Sequence, residues 1–297
     1  MQPHVDTWYQ AQWTDVASRL ASRVSFDYVL VHYIFLTRIF EAFPPGVRRI
    51  VDTHDSFAEL SRRLAEKGVA TGWWSCSTRG EVMALRRGEY IMSSQLEETE
   101  LFKRRLGVHG HVIMVGHPGV WQPLPEAPAP IIGFLASENE MNQAGLAWFV
   151  QECWPLVQSE VPEAELLLAG RICRKHGPWS GTSGVRTLGP VADSRDFHAL
   201  TTVEINPVFA GSGLKVKTIE SLSFGRALVS VSEGVAGLSR DYGAFIVADT
   251  PKAFADAIIE LLREKSARAA LITGAERLIS DWNIRQRSAL VSLFAGL

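Results

Sequence analysis

Short apolar runs that alternate with stretches of helical periodicity constrain this chain more than any other feature of it. In the second half, 131–136, 165–169, 185–191, 203–208, 227–231 and 244–247 are brief apolar runs bounded by polar residues or glycine. That is the build of strands buried on both faces. Between them, Leu146, Phe149, Val150, Cys153 and Val157 recur at helical spacing, as do Phe254, Ala257, Ile258, Leu261 and Leu262. Asp193 or Ser194 is suited to capping a short helix between two of the runs. Strand and helix in alternation spell βαβ units, hence an α/β fold whose parallel sheet is covered on both sides.

The first half follows the same rule with fewer strands. Runs 28–33, 49–53, 90–93 and 112–116 read as strands, with helices over 77–87 and 95–106. Ahead of them Trp13, Val16, Leu20 and Val24 fall at a spacing of three to four and predict a further helix. Segment 117–130 holds five of the fourteen prolines, and proline runs favour extended linkers. The expected organisation is therefore two Rossmann-like parallel-sheet domains, 1–122 and 131–280, the first incomplete, with 281–297 as a last helix. Two open sheets of this kind take ligands at the carboxyl ends of their strands.

Composition closes off other classes. Thirty basic residues stand against 32 acidic ones, a net charge of −2, which argues against a general nucleic-acid binder. Three cysteines, Cys76, Cys153 and Cys173, without CxxC spacing, rule out a disulfide scaffold and a cysteine-based zinc module. No run of 18 apolar residues is present, and the first residues lack the build of a signal peptide. The expectation is a soluble, cytoplasmic protein.

The chemistry is concentrated in NPVFAGSGLKVKTIESLSFG, residues 206–225. A strand runs into Gly211, Ser212 and Gly213, and a helix starts at once. Such a turn lets backbone N–H groups near Gly213 and Leu214 approach an anion, and the helix N-terminus adds partial positive charge. Lys215 and Lys217 follow in the first turn, where the helix dipole disfavours cations unless an anion is bound. Glu220 projects from the same side as Lys217, and its two acceptor oxygens suit a vicinal diol such as a ribose. A plain strand-loop-helix with exposed lysines and an i,i+3 ion pair fits the same residues.

With RALVSVS and then EGVAGL (233–238) after it, this stretch resembles the retaining, nucleotide-sugar-dependent GT-B glycosyltransferases of glycosyltransferase family 4. Upstream, IIGFLAS, LAWFVQECWPLV, LLLAGR and TLGPV stand in the order of that family's donor-binding domain. The resemblance covers roughly 131–297, with Asp281 and Trp282 where such chains turn back to the first domain. It implies that Glu220 holds the donor ribose, and that Lys215, Lys217 and the amides around Gly213 and Leu214 hold the diphosphate. It implies further that Gly234, Val235 and Gly237 pass close to the sugar or phosphates. The family's basic pair after the first strand of this domain is replaced by the acidic 137–142, which shifts phosphate binding to Lys215 and Lys217, with Arg171. The family's first glutamate is replaced by Ser212.

In the first half, VDTHD (51–55) resembles the strand that ends in a histidine facing the donor sugar. His54 would then fix the sugar near its reactive carbon, with Asp55 or Asp52 orienting the imidazole. The family's glycine-rich opening is missing. The implied reaction moves a sugar from a nucleotide diphosphate sugar to a carbohydrate or other hydroxyl acceptor with retention, without metal or cofactor. Three other readings stay open: an inactive donor-binding protein or regulatory partner, a GT-B-fold phosphorylase or epimerase, and a metal-dependent hydrolase using Asp52, His54 and Asp55. His109, His111 and His117 read as surface histidines, and Trp73–Trp74 as a core edge or a sugar or membrane contact. Cys153 reads as buried and inert. Basic patches at 62–63, 86–87 and 103–105 read as solvated faces, with a peripheral contact to anionic lipid at the inner membrane face as the family's alternative. Neither a GxSxG elbow nor a Walker P-loop occurs.

Overall fold

A computed structural model describes residues 3–69, 74–107 and 111–295. It forms two units, each with its own parallel sheet. The first comprises Met1–His117, Ser212–Leu214 and Gln286–Leu297; the second comprises Pro118–Gly211 and Lys215–Arg285. The chain leaves the first unit at Pro118, where the proline-rich segment begins.

The first sheet runs β1 (Tyr28–His32), β2 (Arg48–Asp52), β3 (Tyr90–Ser93) and β4 (His111–Met114), side by side in chain order. The four strands predicted from the sequence are these four. The register pairs Tyr28 with Arg48 and His32 with Asp52, so the last residues of β1 and β2 are neighbours. Helices α1 (Ala11–Ala21), α2 (Leu60–Glu66), α3 (Thr78–Leu85) and α4 (Leu96–Leu106) accompany the sheet. Ser77 caps α3 by accepting from the Gly80 amide. The apolar stripe predicted on the first helix faces outward instead: Val16 and Leu20 are exposed and Ala17 is the buried residue. β1 is the edge strand of this sheet, with Tyr28 and Leu30 exposed.

The second unit holds β5 (Ile131–Leu135), α5 (Glu140–Trp148), α6 (Trp154–Glu160), β6 (Glu165–Ala169), β7 (Val185–Gly189), α7 (Ser194–His198) and β8 (Val203–Asn206). It continues with α8 (Val216–Ser223), β9 (Ala227–Ser230), β10 (Ile246–Val247), α9 (Pro251–Arg263) and the start of α10 (Lys265–Ala295). All six strands are parallel, in the order β10-β9-β8-β5-β6-β7. The run ELLLA shows why such strands are continuously apolar: Leu166 and Leu168 join one core layer, Leu167 and Ala169 the other. The predicted face Leu146, Phe149, Val150, Cys153 and Val157 is buried in the larger layer. It spans a wide π turn, Phe149–Cys153, where the Trp154 amide reaches back to the Phe149 carbonyl. Pro155 just beyond lacks an N–H and cannot continue the regular ladder, which accounts for the widened turn. The last helix is longer than predicted, running unbroken from Lys265, and Leu293 near its end packs with Ile50 and Met92 of the first unit.

Strand order reverses between β5 and β8. Chain segments leaving these two neighbours diverge to opposite faces and open a crevice at their carboxyl ends. Close approach there depends on Gly145 of α5: a Cβ at this position would lie 2.7 Å from the Pro207 carbonyl oxygen and 3.1 Å from Val208 Cα. Both are backbone atoms of the loop after β8. Gly145→Ala is expected to destabilise the protein by about 1–3 kcal/mol, measured by chemical denaturation; an unchanged midpoint would show that this contact is not tight.

Candidate functional site

At the switch point of the second unit, the loops after β5 and β8 are joined by side chains. Lys217, on the first turn of α8, donates from Nζ to Asn142 Oδ1 on α5 and lies 4.7 Å over the Phe134 ring of β5. Asn142 is itself held, donating to the Ser137 carbonyl and hydroxyl, and Asn139 caps α5 by accepting from the Asn142 amide. Burial, and then the charge of Lys215, push the Lys217 ammonium down to about 7. Lys215 pairs with Glu233 at 3.3 Å. Glu220 accepts from Ser194 Oγ at 3.4 Å, so the ion pair with Lys217 that spacing alone allowed is replaced by separate partners. Lys217 and Glu220 both line a cavity of about 10 Å³, together with Gly133, His198, Glu204 and Ser221. That is room for one water.

Asn206, the last residue of β8, ties the next loop to this place. Its amide donates to Thr218 Oγ1 and to the Gly234 carbonyl, which also accepts from Thr218 Oγ1 at 2.7 Å. A Cβ on Gly234 would lie 2.3 Å from Ser230 Oγ and 2.9 Å from the Asn206 amide, so only glycine fits. Val235 is buried beside it, and Gly237 takes φ +84°, a left-handed conformation natural to glycine. Lys215, Lys217, Glu220, Gly234 and Val235 are thus brought together, and Asn142 and Asn206 join them. Arg171 is exposed on the short helix after β6 and is not among the residues of these contacts.

The glycine turn itself is divided. Gly211 belongs to the second unit, whereas Ser212, Gly213 and Leu214 belong to the first. Ser212 Oγ donates to Asp55 Oδ1, the Gly213 amide to Glu98 Oε1, and the Leu214 amide to Ser94 Oγ. The amides expected to face a diphosphate therefore have protein acceptors here.

In the first unit, the loop after β2 is fixed by two buried carboxylates. Glu81 accepts from the amides of Phe57 and Ala58 and pairs with Arg105. Glu98 accepts from the Ser56 amide. His54 on this loop has φ +60° and stacks on Tyr33, itself at φ +67°, with ring centroids 4.3 Å apart. Asp52 lies beside the imidazole, 3.4 Å from Nε2, and His32 joins them, while Asp55 accepts from Ser212 Oγ. Burial is the main influence that lowers the pKa of His54. Of the other candidates, Cys153 is buried with its thiol pushed up to about 12, the exposed His111 stacks on Tyr90, and the exposed Trp74 stacks on Trp8. Trp73 and His109 lie outside the described residues. Among the described residues no helix is long and apolar enough to cross a membrane.

Residues 129–264 match the family model for glycosyl transferases group 1. No curated protein matches the chain in sequence. Among solved structures, a point mutant of S. aureus TarM in complex with fondaparinux, alpha-GlcNAc-glycerol and UDP superposes with a TM-score of 0.74 at 11% identity, over 96% of this chain and 58% of its own. Anabaena HepE in complex with UDP and glucose gives 0.73 at 11% identity, over 100% and 84%. Sucrose-phosphate synthase from Thermosynechococcus elongatus gives 0.71 at 14%, over 96% and 78%. The fold is GT-B. The chain spans less than two thirds of the TarM chain. The matched segment of this GT-B chain contains Asn142, Lys215, Lys217, Glu220 and Gly234. Sequence reading missed Asn142, because only tertiary packing brings α5 against α8. It also missed His32, whose signal was its place at the carboxyl end of the first strand.

Lys217 titrates lower in the folded chain than in the unfolded one. Between about pH 7 and the ordinary lysine value of 10.5, the unfolded chain therefore binds more protons, and stability rises with pH. Lys217→Met is expected to remove its share of that slope, at most about 1.4 kcal/mol per pH unit, in denaturation midpoints taken from pH 7 to 10. An identical slope in the variant would place the lysine in water.

Proposed function

We propose that the chain is a retaining glycosyltransferase of the family 4 type, which takes a nucleotide diphosphate sugar in its second unit and transfers the sugar to a hydroxyl acceptor. The observation that carries the reading is the cationic start of α8 at the β5/β8 switch point, within the segment that matches glycosyl transferases group 1. Lys215 and Lys217 hold the diphosphate and stabilise the charge that builds on it as the glycosyl bond breaks. Glu220 takes the ribose hydroxyls. The resemblance assigns His54 and Asp55 to the donor sugar, and retention follows if the departing diphosphate oxygen accepts the acceptor's proton. TarM and HepE were solved with UDP, so uridine diphosphate is the first nucleotide to test.

A diphosphate beside Lys217 favours its charged form, so binding at pH 8 draws a proton from solution. Calorimetry in buffers of different ionisation enthalpy is expected to register that uptake. Lys217→Ala and Glu220→Ala should each weaken uridine diphosphate binding roughly tenfold or more, as loss of a charge-assisted hydrogen bond does. Unchanged affinity in both variants would reject the assignment. A donor-binding protein without turnover is the second reading; with the Gly213 and Leu214 amides held by Glu98 and Ser94, either reading leaves the diphosphate to Lys215 and Lys217. Release of nucleotide diphosphate from a panel of donor sugars and acceptors separates the two.

A further inference from the structure

We infer that the carboxyl edge of the first sheet is a binding site for a divalent transition-metal ion, zinc foremost, formed by His32 Nδ1, Asp52 Oδ2 and His54 Nε2. The three atoms converge. His32 Nδ1 is 2.9 Å from Asp52 Oδ2 and 3.0 Å from His54 Nε2, and His54 Nε2 is 3.4 Å from Asp52 Oδ2. Zinc binds imidazole nitrogen and carboxylate oxygen at about 2.0–2.2 Å, so ligand atoms at angles of about 90° to 109° around it stand about 3.0–3.4 Å apart. The observed triangle has the edges of such a coordination shell. Among the described residues these are the ones that form a cluster of metal-ligating side chains.

The shape is built in rather than accidental. Register places His32 directly beside Asp52 on adjacent strands. His54 is turned back onto them by a left-handed backbone, which a histidine adopts only against steric strain. Tyr33, also left-handed, stacks on the ring and holds its plane. Two nitrogens facing each other at 3.0 Å share at most one proton between them. A cation in place of that proton satisfies both lone pairs and the carboxylate at once. Two imidazoles and one carboxylate suit zinc, cobalt or other first-row ions over magnesium or calcium. His32 is exposed, so the remaining coordination positions are open to water or a ligand oxygen. The inference goes beyond glycosyl transfer, and an ion on His54 Nε2 occupies the lone pair a donor sugar would use.

The full chain, stripped with chelator and dialysed, is titrated with zinc chloride by calorimetry, and with cobalt by its visible absorption. One equivalent is expected to bind, with His32→Ala and Asp52→Asn each weakening it at least roughly tenfold while the far-ultraviolet spectrum stays native. No saturable binding of zinc or cobalt up to about 100 µM, a bound weaker than a built zinc site, overturns the inference. So does binding that both variants retain, which would place the ion on Cys173 or a surface histidine. Zinc binding measured in Lys217→Ala stays at the wild-type value while uridine diphosphate binding falls, so a failed metal site leaves the nucleotide reading standing, and the reverse.

Discussion

The reversal of strand order between β5 and β8 governs the second unit. In a parallel sheet every strand needs a crossover that returns along one face or the other. Where the order reverses, two neighbouring crossovers depart in opposite senses, and the first turns of their loops cannot pack against each other. The gap has to be lined by something. Here it is lined by the start of α5, the start of α8 and the loop that follows β9, joined through Asn142, Asn206 and Thr218. Gly145 and Gly234 allow the backbones to approach closely enough for those bonds to form.

A lysine placed in that gap is unfavourable on its own. Two cations at the start of α8 oppose its dipole, and among the described residues Lys217 has a neutral amide oxygen and a ring face as its partners. Lys215 at least has Glu233. An unfavourable charge beside a helix N-terminus is the electrostatic outline expected of the diphosphate site proposed above. The same energetics tie stability to the proton on Lys217, and under the proposed function they tie nucleotide binding to it as well.

The first unit holds its strain in backbone geometry. Three described residues other than glycine adopt left-handed φ, and two of them, Tyr33 and His54, stack on each other beside Asp52 and His32. Glu81 and Glu98 direct their oxygens to the amides of the loop that carries His54. Those bonds hold the loop in a shape it would not take alone, because a carboxylate buried against several N–H donors is costly to leave unpaired. Glu98 also binds Gly213, so the same carboxylate orders the glycine turn.

By itself the sequence determined the α/β class, ten strands in their places and the segment that gathers Lys215, Lys217, Glu220 and Gly234, because burial on both faces of a parallel strand writes itself as an uninterrupted apolar run. It also placed His54 at a strand end. Tertiary structure alone decided strand order, and with it the pairing of Lys217 with Asn142, residues 75 positions apart. It decided that Val16 and Leu20 face outward, since helical spacing records an apolar stripe but not whether a sheet lies beneath it. It also placed Asp52 and His32 against His54. Register between parallel strands brings their ends together, and no local pattern in either strand encodes its partner.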